Sequence, residues 1–198
     1  MNLSKRQDDL ATIAGGLNPA IKFYDPLKLS DKEFWGTSNE ATIGFLRHSE
    51  IKHGRVAMAA FVGYCVQSNF VFPYPLTIAG GAHPGTDLSP PEQWDALPDA
   101  SKLQIIAFVG GLEIFSEAIN TMGVAPHYMS GGKPGEFPEF EGNVPHYTLF
   151  KSLWDPLGTA AKNSDEKKEK GLLIEINNGR LASKYTNSVC GGTSLTCY

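Results

Sequence analysis

Glu50 and His53 stand three residues apart, and Glu175 and Asn178 repeat that spacing 125 positions later. Residues three apart on a helix share a face. Glutamate, histidine and asparagine have one property in common, a lone pair to offer a metal. A site for a bare cation would bring several such donors together. Here they are spread along separate segments, and each pair has an arginine beside it, Arg55 or Arg180, that repels a free cation. A metal already held by a macrocycle needs only one axial ligand. Such a complex is neutral, so a glutamate ligand leaves one net negative charge, which an arginine can cancel.

The elements that carry these residues are related. EIKHGRVAMA at 50–59 and EINNGRLASK at 175–184 match at Glu50/Glu175, Ile51/Ile176, Gly54/Gly179, Arg55/Arg180 and Ala57/Ala182. Upstream of each lies an aromatic-Asp-Pro-Leu turn, Tyr24-Asp25-Pro26-Leu27 and Trp154-Asp155-Pro156-Leu157, at an offset of 130. Two matches in the same order at nearly the same offset indicate a duplicated unit. Glu50 and Arg55 sit about 140° apart around one helix axis, so they do not face each other. Two copies crossing about a pseudo-two-fold can pair reciprocally, Glu50 with Arg180 and Glu175 with Arg55. Gly54 and Gly179 leave room for a close crossing.

Three helices are expected. The first occupies 37–72, with Thr37 and Glu40 forming a capping box and Pro73 and Pro75 ending it. No Asp, Glu, Lys or Arg occurs from 56 to 72, a run just short of the ~20 residues a bilayer core needs. Extending it back to Thr42 takes in Arg47, Glu50, Lys52, His53 and Arg55. An ionised group in hydrocarbon costs ~2.5–3.5 kcal/mol, so it needs a partner. The second helix occupies 99–122 and contains LQIIAFVGGLEIFSEAINTM, with Gln104, Glu113 and Glu117 inside it. Its Gly110-Gly111 pair lowers helix propensity and admits another helix or a flat ligand. The third helix, 163–185, starts in the charged stretch DEKKEK and enters GLLIEINNGRLA. The segments around them are 1–36, 73–98, 123–162 and an atypical tail at 186–198, within one domain spanning 1–198. The fold class is an all-α membrane protein with three transmembrane helices, the first and third crossed.

Composition narrows the function. Hydrophobic residues make up 41% and charged ones 19%, with a formal net charge of -4 and no basic face, which argues against nucleic acid. Cys65, Cys190 and Cys197 are odd in number and form no zinc spacing; Cys65 reads as a small buried hydrophobe. The start has no apolar signal core, so either no targeting segment exists or the numbering begins on a processed protein. Catalytic triads, phosphate loops and nucleotide fingerprints are absent. A di-iron carboxylate bundle also uses Glu-x-x-His, but Asn178 is a poor iron ligand and an arginine sits beside each pair. The chain is not expected to be an enzyme.

EIKHGRVAMAAFVGY and EINNGRLA resemble the first- and third-helix signatures of the light-harvesting chlorophyll-binding family, over roughly residues 20–182. LQIIAFVGGLEIF and GGKPGEFPEF resemble its red-lineage chlorophyll a/c branch, with fucoxanthin or peridinin as carotenoid. FPYPLTIAGGAHPGTDLSPPEQWDALPDA looks most like dinoflagellate antennae. The resemblance implies that Glu50, His53, Gln104, Glu113, Glu175 and Asn178 are axial ligands to chlorophyll magnesium, with Arg55 and Arg180 as charge partners. It implies that Tyr24, Asp25, Pro26, Trp154, Asp155 and Pro156 form turns that seat carotenoids. Glu117 reads as structural, His48 as interfacial or solvated, and His83, His127 and His146 as solvated loop residues; Trp35, Trp94 and Trp154 suit interfacial positions.

The cofactors so implied are chlorophyll a, chlorophyll c and a carotenoid of the peridinin, fucoxanthin or diadinoxanthin type. The implied function is an antenna in the chloroplast thylakoid membrane. It would pass excitation to a photosystem, I favoured over II, among neighbouring antenna subunits and thylakoid lipids. The alternative is a photoprotective relative that dissipates excitation. One departure stands out: after Ala182 the chain reads SKYTNSVCGGTSLTCY, where the family continues with an apolar stretch. Either the third span is shortened, or the tail derives from a frameshift or misspliced transcript; the abrupt loss of pattern favours the second.

Overall fold

A computed structural model describes residues 3–78, 80–121, 126–135 and 163–190. Among the described residues every regular element is helical. α1 is Leu3–Leu17, α2 Asn39–Asn69, α3 Pro90–Asp95, α4 Asp99–Thr121 and α5 Asp165–Cys190, with short 3-10 turns at Leu29–Asp31, Phe34–Gly36 and Tyr128–Ser130. α1 lies in a segment for which no helix was expected. α5 carries the third helix on to Cys190, through the polar residues that follow Ala182.

The start of α2 is set by the loop before it. Ser38, not Thr37, is the N-cap, its hydroxyl accepting the Ala41 N–H at 3.3 Å. The Thr37 hydroxyl is already used, donating to the Phe34 carbonyl at 2.7 Å to close the preceding turn. Thr42 is fully buried and accepts the Phe34 N–H at 3.1 Å, and the Asn39 amide donates to the Ser30 carbonyl. α2 ends at Asn69 because Phe70 turns extended, with φ −143. There Gln93 of α3, almost wholly buried, donates to the carbonyls of Gln67 at 3.2 Å and Leu88 at 2.8 Å. α3 itself starts on a capping box made by Ser89 and Glu92.

α2 and α5 cross at Gly54 and Gly179. A Cβ placed on Gly179 would lie 2.7 Å from the Gly54 Cα, and one on Gly54 would lie 3.1 Å from the Gly179 Cα. Ile51 and Ile176, equivalent in the two repeats, are buried at 4% and 7% exposure. α1 packs on α5, where the Asn177 amide donates to the Leu17 carbonyl at 3.2 Å. α4 does not pack along α2 or α5. Among the described residues nothing lies within 4 Å of a Cβ built on Gly110 or Gly111, so none of the described helices packs on that pair.

Much of the apolar surface faces outward. On α4, Leu103, Ile105, Ile106, Phe108, Val109, Leu112, Ile114 and Phe115 are exposed, as are Val56, Val62 and Val66 on α2 and Ile174 and Leu181 on α5. Yet among the described residues no helix is long and apolar enough to cross a membrane, where three apolar spans were expected. Charged residues interrupt the apolar runs. The 31 residues of α2 reach about 46 Å, but Arg47, Glu50, Lys52 and Arg55 crowd its first half. α4 carries Glu113 and Glu117, and α5 opens with DEKKEK.

Candidate functional site

The crossing point organises the site. Arg55 on α2 pairs through its Nε with Glu175 Oε1 on α5. Arg180 on α5 pairs with Glu50 Oε1 on α2, its Nε and Nη2 both at 2.7 Å. The exchange is reciprocal, and it occurs where two glycines allow the backbones to touch. Each arginine takes one carboxylate oxygen. The Oε2 atoms of Glu50 and Glu175 have no hydrogen-bond partner among the described residues and remain available to a ligand.

The neutral donors are placed on the outside. His53, Asn178 and Gln104 are exposed. His53 Nδ1 lies 2.7 Å from the Ser49 carbonyl. A carbonyl only accepts, so in the neutral ring Nδ1 carries the proton and Nε2 the lone pair, the tautomer a metal ligand requires. Glu113 is exposed and meets Lys52 of α2 at 2.5 Å through Oε2. Among the described residues no three of His, Cys, Asp and Glu gather to hold a bare ion. Single lone pairs set in exposed apolar helix faces fit a metal that arrives inside a flat apolar macrocycle.

The turns behave differently. Tyr24 is 75% exposed and Pro26 is exposed. Asp25, by contrast, is committed to the fold. Its carboxylate accepts the Leu29 N–H at 3.0 Å and the Ser30 N–H at 2.8 Å, and the Ser30 bond holds its pKa below the ordinary 3.8. Trp154, Asp155, Pro156 and His146 lie outside the described residues.

A cluster near the start of α2 escapes a reading by spacing. Residues 126–135 fold back onto α2, where Tyr128 stacks on His48 with ring centroids 3.9 Å apart. Glu117 accepts from the Tyr128 hydroxyl at 3.1 Å and pairs with His127 Nε2 at 3.0 Å. Burial, then the negative charge of Glu117, pushes the Tyr128 phenol up to about 12. His48 is buried rather than solvated, its Nδ1 accepting the Gly135 N–H at 3.1 Å. The Gly135 carbonyl in turn accepts from Arg55 Nη1 at 2.7 Å. So this loop covers one of the two ion pairs and not the other. No signal in the sequence finds it, because the partners are 80 and 87 residues apart.

A family model described as chlorophyll A-B binding protein matches residues 9–183. The chain belongs to the chlorophyll a/b-binding protein family. That family is one of chlorophyll-binding proteins. It is 30% identical over 167 residues to fucoxanthin-chlorophyll a-c binding protein E of Macrocystis pyrifera, the match covering 84% of this chain and 66% of that one. It is 32% identical over 176 residues to a fucoxanthin-chlorophyll a-c binding protein of Trieres chinensis, covering 84% and 71%. A protein of the same name from Chattonella marina var. antiqua is 33% identical over 177 residues, covering 87% and 68%. The chain thus spans just under two thirds of the Macrocystis protein E. All three relatives are named as chloroplastic.

Proposed function

We propose that this chain is a light-harvesting antenna that binds chlorophyll a, chlorophyll c and a carotenoid of the fucoxanthin, peridinin or diadinoxanthin type. It passes excitation to a photosystem and makes or breaks no bonds. The observation that carries this reading is the reciprocal pairing of Arg55 with Glu175 and Arg180 with Glu50 across the Gly54–Gly179 contact. A structural tie alone would not require each carboxylate to keep an oxygen unused beside an exposed apolar face. Glu50, His53, Gln104, Glu113, Glu175 and Asn178 each supply one axial ligand to chlorophyll magnesium. The macrocycle supplies the light absorption, and the protein fixes spacing and orientation.

The whole chain acts as one antenna domain in the thylakoid membrane of the chloroplast. α2, α4 and α5 are its three spans, the third shortened on its apolar side at Ala182. Pairing removes the charge penalty that the bare helices would meet in lipid. Pigments and thylakoid lipids cover the apolar faces of α4, and the Tyr24-Asp25-Pro26 and Trp154-Asp155-Pro156 turns seat carotenoids. Photosystem I, with neighbouring antenna subunits around it, is the favoured partner. Names of the relatives in the chlorophyll a-c group support the pigment set.

The test is a fluorescence-excitation spectrum of the protein from native membranes in mild detergent, with pigment extraction alongside. Chlorophyll a emission excited through chlorophyll c and a blue-green-absorbing carotenoid is expected. Bound pigment with strongly quenched emission would move the reading to a photoprotective relative. No bound pigment would overturn it.

A further inference from the structure

Within the six donors a rule separates two groups. Each carboxylate has a cation on another helix: Glu50 has Arg180, Glu175 has Arg55, and Glu113 has Lys52. None of the neutral donors, His53, Asn178 and Gln104, pairs with a cation among the described residues. Glu117, a carboxylate outside the ligand set, is held instead by a tyrosine and a histidine. The two arginine pairs lie at the duplicated crossing and follow from the repeat. The lysine pair does not. It joins α2 to α4, two helices that do not pack along each other, and it is only partly withdrawn from solvent, with Lys52 30% and Glu113 58% exposed.

A partly exposed ion pair between separated helices adds little to stability in water. Its place makes sense if pigment and lipid fill that space, where the same charges interact through a lower dielectric. We infer that Lys52 is the counter-cation for a chlorophyll ligated by Glu113, a third charge-compensated site outside the duplicated crossing. The inference rests on the antenna reading. Lys52 Nζ takes Glu113 Oε2, which leaves Oε1 for the magnesium, the same division of oxygens as at Glu50 and Glu175. Neutral macrocycle, anionic ligand and ammonium then sum to zero charge. Lys52 is a positioning residue: it touches the ligand, not the pigment's metal. Lysine offers one point charge where arginine offers a fork, so this site is held by a single bond and depends on that charge alone.

The rule gives a test that a structural tie would fail. The full chain is refolded with a pigment extract containing chlorophyll a, chlorophyll c and fucoxanthin, and chlorophylls per chain are counted for wild type, Lys52→Gln, Glu113→Gln and the double variant. Lys52→Gln strands an anionic ligand and is expected to lose one chlorophyll. Glu113→Gln keeps a neutral ligand and is expected to keep that chlorophyll. In the double variant a neutral ligand needs no cation, so the lost chlorophyll is expected to return. Full pigment in Lys52→Gln would overturn the inference. So would a double variant as depleted as Lys52→Gln, or a Lys52→Gln chain that loses every pigment, since either marks a tie between helices. A wild-type chain that takes up no pigment would overturn the antenna reading itself and this inference with it.

Discussion

The two ion pairs at the crossing come from one duplicated motif, yet they sit in different surroundings. Arg55 and Glu175 are 33% and 28% exposed, with the Gly135 carbonyl on the arginine and His48 holding the Gly135 N–H. Arg180 and Glu50 are 50% and 40% exposed, and no loop covers them among the described residues. The motif fixes the pairing, but the loop decides how far each pair is removed from solvent. A duplicated sequence therefore yields one site built into the fold and one set on its surface.

Breaking the crossing should outweigh breaking either pair. Gly179→Val puts side-chain atoms where even a Cβ would lie 2.7 Å from the Gly54 Cα. The backbones have to part, at a cost of about 3 kcal/mol or more. Both pairs separate with them, and no pigment should survive refolding and gel filtration. Arg55→Leu comes next. It leaves Glu175 and the Gly135 carbonyl without their partner, at roughly 2 kcal/mol for a pair only partly withdrawn from water. The chlorophyll on Glu175 should be lost and the thermal midpoint should fall. Arg180→Leu should cost about 1 kcal/mol, less than Arg55→Leu, while losing the chlorophyll on Glu50. Equal thermal losses for the two arginine variants would remove the distinction drawn between the pairs. Unchanged pigment stoichiometry in Arg180→Leu would sink the pairing of charge with ligation.

The smallest effect concerns the turn before α2. The Asp25 pKa lies below its ordinary 3.8 because the folded chain donates hydrogen bonds to the carboxylate. Its contribution is therefore present above about pH 4 and lost as pH falls through the folded value. Tryptophan fluorescence from Trp35, in the adjoining turn, should hold steady down to pH 4 and change below it. In Asp25→Asn that acid step should be missing. A change centred near neutral pH would assign the turn to another group.

These differences mark what spacing can reveal. The reciprocal pairs and the glycine contact follow from the repeat, because equivalent residues on crossed copies must meet. Helix α1 carries its own signal in Leu10, Ile13, Ala14 and Leu17, a stripe at helical spacing that lies outside the repeat. The cap at Ser38 instead of Thr37 was decided by a hydrogen bond back to Phe34, which depends on how the loop turns. Lys52–Glu113 and His48–Gly135 were illegible for a simpler reason. They join segments 61 and 87 residues apart with no shared motif to align them. The outward apolar faces of α4 are visible in both sequence and structure.

The central claim is that each carboxylate does two tasks, pairing across the helices and ligating a pigment. A charge swap separates them. In Glu50→Arg with Arg180→Glu the ion pair can reform, but the carboxylate has moved to the other helix. After refolding with chlorophylls a and c and fucoxanthin, the chain should assemble with one chlorophyll fewer than wild type. A full chlorophyll complement in the swapped chain would contradict the claim, since the pair would then be a tie between helices and the ligand would lie elsewhere.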